Sequence, residues 1–175
     1  VPDDRHVVHC VGGGRDLVEE VDDGLGAAGR LEVPPPAEFL AEQVRAGKLR
    51  LRKLGKSATF HDPCQLVRRG GAIEAPREVL QALGVELREM YPTKGANWCC
   101  GGGGGVVAIH RADELRHKVF KIKMEQIEET GAELPVTSCA NCRQTFDDGQ
   151  AHFKWDKTMH SLLELVADNL VEDDR

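Results

Sequence analysis

From Ser57 onward, short apolar runs of strand length alternate with longer stretches whose apolar residues recur every three or four positions. Ala58-Thr59-Phe60 reads as a strand that ends at His61-Asp62-Pro63. Pro76 to Leu83 predicts a helix, with Pro76 near its first turn and Gly84 as its stop. Val85 to Met90 predicts a second strand. Gly101 to Gly105 cannot be helix interior, but Val106 to Glu129 predicts one long helix with Ile109, Ala112, Leu115, Val119 and Ile122 on its apolar face and Gly131 at its end. Leu134 to Thr137 predicts a third strand, Cys139 to Asp147 a turn opening a helix, and Ser161 to Leu170 a last amphipathic helix. Upstream, Pro34-Pro35-Pro36 punctuates the chain before a helix from Ala37 to Ala46, with Phe39, Leu40 and Val44 at helical spacing. Lys48 to Lys56 reads as a solvated basic connector. The first 35 residues are the least legible, with a short strand at Val7–Cys10 and a short helix at Asp16–Leu25 as the expectation.

Strand–helix–strand order predicts an α/β fold: a small parallel sheet flanked by helices, Rossmann-like and three-layered, in a single domain. We expect residues 1–36 to be a lead segment, the remnant of a preceding half, and residues 37–175 to be the domain. The 175 residues suffice to bury a core without disulfide staples. Aromatic residues make up only 5%, so aliphatic side chains must do most of the packing. A net charge of −6 offers no basic stripe to a nucleic acid. The sequence contains no run of 18 apolar residues, so no direct membrane span is expected, and no signal-peptide pattern opens it. The start at Val1 in a polar stretch fits a fragment of a longer protein or a processed product.

The chemistry lies in the cysteines, six in number. Cys64 closes His61-Asp62-Pro63-Cys64, Cys99 and Cys100 run straight into the glycines, and Cys139 and Cys142 form a C-x-x-C. Each group follows a predicted strand. Strand C-termini of a parallel sheet share one edge, where ligand sites belong, so three distant segments should converge there. Thiolates select iron–sulfur clusters, zinc or copper(I) over hard cations. Six cysteines in a chain read as cytoplasmic favour a metal over a disulfide framework. A structural zinc site takes four ligands, as does a common cubane cluster. Five converging thiols therefore leave either a spare, reactive thiol or an unusual cluster. Helix N-termini near Cys142 and after Gly105 would help to keep these thiols deprotonated. Gly101 and Gly102 would let the chain pass a bulky cofactor without clash.

The pattern Cys64, Cys99-Cys100-Gly101 and Cys139-x-x-Cys142, with 34 and 38 residues between its parts, closely resembles the cysteine-rich CCG domain. Pro76-Arg77-Glu78-Val79-Leu80 and Trp98-Cys99-Cys100 with its glycines fit too, and the likeness runs from about residue 37 to 170. Such domains occur in the B and D chains of heterodisulfide reductase, in glycolate oxidase iron–sulfur subunits and in related respiratory complexes. The resemblance implies a [4Fe-4S] cluster of the non-cubane kind, with Cys64, Cys99, Cys100, Cys139 and Cys142 as ligands. It further implies an iron–sulfur oxidoreductase component that passes electrons to a disulfide, a quinone or a membrane partner. Its partners would be other subunits of a redox complex: a dehydrogenase, a ferredoxin-type subunit or a membrane subunit. The location implied is cytoplasmic, or peripheral at the cytoplasmic membrane through partners. Family members usually carry two copies of the motif, and this chain shows one. An electron relay or assembly scaffold without catalysis, and a zinc-stabilised binding domain, remain as alternatives.

The residues around the motif have plainer readings. His61 either bonds backbone at a strand end or delivers protons near the cluster, since histidine titrates near neutrality. Asp62 caps the turn before Pro63, and Trp98 packs as a lid. Cys10 reads as a buried or loop thiol, and His110, His117, His152 and His160 as surface or satisfied residues. The glycine run lacks the Lys-Ser or Lys-Thr of a phosphate loop.

Overall fold

The computed structural model describes residues 34–171; the strand, the helix and Cys10 expected before Val33 lie outside them. Four strands form one sheet in the order β2-β1-β3-β4: β1 Ser57–His61, β2 Glu86–Leu87, β3 Leu134–Thr137 and β4 His160–Ser161. All the pairings are parallel, with Ala58 beside Leu87 and Leu134, and Val136 beside His160. Five α-helices accompany it: α1 Pro36–Arg45, α2 Ala75–Ala82, α3 Asp113–Thr130, α4 Ala140–Phe153 and α5 Leu162–Asp168. The α/β reading with a parallel sheet between helices holds. No helix among the described residues is long and apolar enough to cross a membrane.

Strand alternation sorts the two faces of the sheet. Ala58, Phe60, Leu134 and Val136 point into one core with Ala37 and Ala41 of α1, Val79 and Leu80 of α2, and Leu162 and Val166 of α5. The opposite face carries Ser57, Thr59, His61 and Thr137, all polar and all buried. Helices α3 and α4 cover that polar face through a second core built from Phe120, Ile127 and Phe146 with Met90 and Met159. Cys100 and Cys142 belong to this second core. The site therefore sits where the sheet is polar and the covering is apolar.

Three expectations need correction. The long helix begins at Asp113, not Val106. Gly104 and Gly105 adopt φ of 64° and 78°, so residues 103–108 form 3-10 turns, and Ile109 is extended. Acidic Asp113 and Glu114 then suit the positive end of the new helix. Second, the helix buries Arg116, Phe120, Lys123 and Ile127, a stripe displaced by one residue from the predicted one. Leu115 is 64% exposed, and Ile109 and Ile122 are exposed as well. Buried charge explains the error: Arg116 bonds Asp113 and Asp148, and Lys123 bonds Asn97, so residues that look like surface are core. Third, the basic connector is not simply solvated, because Leu49, Leu51 and Leu54 pack against the first core. The second strand is also shorter than predicted, and β4 carried no sequence signal beyond the start of the last helix. That helix opens on Ser161, whose hydroxyl accepts from Glu164 N.

Packing between α3 and α4 is tight at Gly149, where an added Cβ would fall on the Phe120 ring. We predict that Gly149→Ala lowers stability by roughly 1–3 kcal/mol through overpacking, outweighing the ~1 kcal/mol that alanine gains over glycine in a helix. A lower urea midpoint at unchanged slope would confirm it; an unchanged or raised midpoint would show that the ring moves aside freely.

Candidate metal centre

The site forms at the C-terminal ends of β1 and β3. His61 is the last residue of β1 and lies fully inside, tilted against Phe146 at 5.3 Å. Asp62 follows it, and its carboxylate gathers the neighbouring loops. Arg77 of α2 donates from both terminal nitrogens to Asp62 Oδ1 and Oδ2 at 2.9 Å, while its Nε bonds Glu89 at 2.6 Å. Lys94 N and Thr93 Oγ1 donate to Asp62 Oδ2 at 2.8 and 3.2 Å. The Asp62 carbonyl accepts from Asn97 Nδ2. Asp62 is thus a junction between the β1 loop and the segment leading to Cys99, beyond the simple turn cap expected.

The adjacent pair then enters from that segment, and the C-x-x-C from β3. Cys139 is the N-cap of α4 and Cys142 stands in its first turn. Cys100 is 2% exposed and Cys142 5%, and their sulfurs are 3.4 Å apart. The Cys100 and Cys142 sulfurs and a His61 ring nitrogen lie within 4.8 Å of one another. Cys99 and Cys139, half-buried, pack against the core that holds this pair. All five described cysteines are free thiols. Cys64 is half-buried, at the start of a π-helical turn Gln65–Arg69 just beyond β1. The structure therefore gathers four of the five predicted cysteines about one core, with the Cys100 and Cys142 sulfurs in contact, and places the fifth on the same edge of the sheet.

Two of the glycines sit where a side chain would not fit. Gly101 takes φ of 95° and its N–H bonds Cys99 Sγ at 3.3 Å. A Cβ at Gly102 would fall on the Thr145 hydroxyl, while Asn141 Nδ2 holds the Gly102 carbonyl at 2.9 Å. Trp98 is half-exposed beside the pair rather than closed over it. His117 stacks on His152 at 3.7 Å and bonds Asp148, a satisfied pair away from the thiols.

Hydrogen bonds from Cys142 and Cys99 hold Cys100 far below the ordinary thiol pKa. The same bonds push Cys142 and Cys99 up, as the proton-bearing partners. Cys139 is lowered to about 6 by Cys142 and by backbone N–H groups of the α4 turn. Burial pulls the His61 pKa down, against its bond to Cys100. His61 Nδ1 is buried with no partner among the described residues. Soft thiolates at one edge with an adjacent imidazole fit a thiophilic metal or an iron–sulfur cluster.

Sequence reasoning missed Lys123, which reaches the site from α3 with its Nζ 3.0 Å from Asn97 Oδ1. Burial lowers its pKa to about 8, opposed by the charges of Asp62 and Cys100. Its one sequence signal was its register with Arg116, Phe120 and Ile127.

Two clefts open onto Cys139. One, of about 460 Å³, is lined by Thr137, Ser138, Arg143, Ser161 and Glu164. The other, of about 480 Å³, is lined by Pro36, Pro63, Gln65, Leu66 and Ser138.

Residues 58–147 match the family model of the CCG cysteine-rich domain. The chain is 36% identical over 148 residues to the D chain of dihydromethanophenazine:CoB–CoM heterodisulfide reductase from Methanosarcina mazei, covering 83% of this chain and 36% of that protein. It is 35% identical over 127 residues to EtfAB:quinone oxidoreductase of Syntrophomonas wolfei, covering 69% of this chain and 18% of the other. A probable iron–sulfur-binding oxidoreductase of Bacillus subtilis is 35% identical over 120 residues, 67% of this chain and 17% of its own length. The chain thus spans about a third, or less, of the relatives it matches.

Two outcomes follow from this geometry. Arg77→Ala leaves the buried Asp62 carboxylate without its cation and should cost about 3–5 kcal/mol in denaturant unfolding; a loss under ~1 kcal/mol would mean that Asp62 is held by its other donors alone. In the metal-free chain, Cys139 should be the thiol that iodoacetamide modifies first. Its pKa is lowered, so the thiolate is present above about pH 6, and the rate should climb through that pH and then level. Mass spectrometry of the labelled peptide, with Cys139→Ser as control, reads this directly; a rate still climbing steeply at pH 8.5 would contradict it.

Proposed function

The chain belongs to the CCG cysteine-rich domain family, and from that premise we propose that residues 37–175 form the iron–sulfur module of a heterodisulfide-reductase-like oxidoreductase. The observation that carries this is the convergence of Cys99, Cys100, Cys139 and Cys142 on one core at the sheet edge, with the Cys100 and Cys142 sulfurs 3.4 Å apart. Cys64, Cys99, Cys100, Cys139 and Cys142 are the proposed ligands of a [4Fe-4S] cluster of the non-cubane kind. Such a cluster supplies single-electron uptake and release. The names of the relatives support the class, since they describe heterodisulfide reductase, a quinone oxidoreductase and an iron–sulfur-binding oxidoreductase.

The chain's own residues divide the work. Cys100 and Cys142 form a buried floor, and Cys139, Cys99 and Cys64 stand half-buried towards solvent. Gly101 and Gly102 let the backbone pack tightly against Arg116 and Thr145, where a side chain would clash. His61 touches the buried sulfurs and can hold or pass a proton there. The clefts at Cys139 fall within the ~300–1,000 Å³ range of small-molecule sites, which favours contact with a substrate over a closed relay. Electrons would arrive from a dehydrogenase or ferredoxin-type subunit and leave to a disulfide, a quinone or a membrane subunit. The module would work in the cytoplasm, or at the membrane surface through its partners.

Anaerobic reconstitution tests the reading. Wild type should take up about four iron and four sulfide per chain. Cys100→Ser and Cys64→Ser should lose the brown absorbance and the electron paramagnetic resonance signal. One zinc and no iron in the wild type, or an unchanged spectrum in Cys100→Ser, would sink it.

A further inference from the structure

Lys123 is the most deeply buried charged side chain of the described residues, 0% exposed, in the middle of α3. Its Nζ has two hydrogen-bond partners, Asn97 Oδ1 at 3.0 Å and Met90 Sδ at 3.8 Å, and both are neutral. No carboxylate among the described residues forms a salt bridge with it, although Arg77 and Arg116, the other buried cations, each have two. Taking an ammonium out of water without a counter-ion costs several kcal/mol, so buried cations are almost always paired. The surroundings show where the missing negative charge is. Lys123 Nζ contacts Met90, a member of the core that holds Cys100 and Cys142, and bonds Asn97, two residues before Cys99. Asp62 is already claimed by Arg77, which leaves the sulfurs. A cluster held by thiolates carries net negative charge, and five thiolates carry more than four.

We propose that Lys123 is a positioning residue of the cluster: a fixed, buried positive charge, anchored by Asn97, that compensates the anionic thiolate-held group and sets its reduction potential. This rests on the iron–sulfur reading above and adds to it a residue outside the cysteine motif. Asn97 has a second part in this, because its amide nitrogen is held by the Asp62 carbonyl and its oxygen therefore faces Lys123. The ammonium is thus placed by the same junction that places the adjacent cysteines. A positive charge nearby favours the reduced, more negative form, so removing it makes reduction harder.

The test compares wild type with Lys123→Met, Lys123→Gln and Lys123→Arg on the complete protein. Readouts are circular dichroism and urea unfolding before reconstitution, iron and sulfide content after it, and the midpoint potential by spectroelectrochemistry. Lys123→Met should fold as well as wild type or better, since exchanging a buried ion for an apolar side chain is often neutral or stabilising. Its cluster should be harder to reduce by at least tenfold in the reduced-to-oxidised ratio, 59 mV for a one-electron couple. A folded Lys123→Met that takes up no cluster supports the same conclusion. Lys123→Gln, which can keep the Asn97 bond without the charge, should match Lys123→Met and stands in for it if the methionine variant does not fold. Lys123→Arg, which keeps the charge, should stay near the wild-type potential. Neutral variants that hold a full cluster at the wild-type potential overturn this proposal alone. A wild type that binds no iron overturns the cluster reading and this proposal with it.

Discussion

The buried Asp62 carboxylate is the constraint on which the site depends. It follows directly from β1, so the sheet fixes its position to within a residue. From there it accepts from Arg77, Lys94 and Thr93, and its own carbonyl accepts from Asn97. Those donors come from a helix and from a loop with almost no regular structure. Charge-assisted, two-pronged bonds are among the few interactions strong and directional enough to order such a loop. The segment before Cys99 has no strand to hold it, and its short 3-10 turn at Lys94–Ala96 is no substitute. Arg68 and Lys123 hold the same segment through Gly95 and Asn97, and Asp62 adds the charged junction at its start.

A second layer of organisation is electrostatic. The polar face of the sheet, with Ser57, Thr59, His61 and Thr137, is unusual for a strand surface covered by helices. Apolar covering from Phe120 and Phe146 excludes water there, which strengthens each remaining polar contact. In that medium the thiols do not titrate singly. Cys100 and Cys142 meet sulfur to sulfur at 3.4 Å, and Cys99 and Cys139 pack against the same core, so the sulfurs are held close by the fold itself.

The legible part of the molecule was that carried by covalent order and spacing. The sheet edge could be read because strands, turns and cysteines follow one another in sequence, and parallel pairing fixes which ends meet. The cysteines and Gly101 were visible because their chemistry has few other uses. Helix α3 shows why the rest was not. Its apolar residues Leu115 and Ile122 follow the right period on the wrong face, while Arg116 and Lys123 occupy the core. Periodicity assumes that charge seeks water, and the assumption fails wherever a buried partner awaits the charge. Asp113, Asp148 and Asn97 are those partners; Asp113 lies only three positions before Arg116, but Asp148 and Asn97 are 32 and 26 positions away from the cations they hold. Asp62 was seen as a turn residue for the same reason: Arg77 is fifteen positions away, and nothing local announces the pair.

The two sides of the thiol line differ, and the difference bears on what the module can do. On one side Cys100, Cys142, His61 and Lys123 are sealed from solvent. On the other, Cys139 borders both clefts at the mouth of α4, with Ser138 lining each of them. A pure electron relay gains from being closed on all sides, since water and small ligands only perturb it. A site that meets a substrate needs one open flank and one flank whose charge does not move. Cation, junction and buried sulfurs supply the fixed flank here, and the C-x-x-C segment supplies the open one. A substrate would then be expected to approach from the Cys139 flank, where both clefts open.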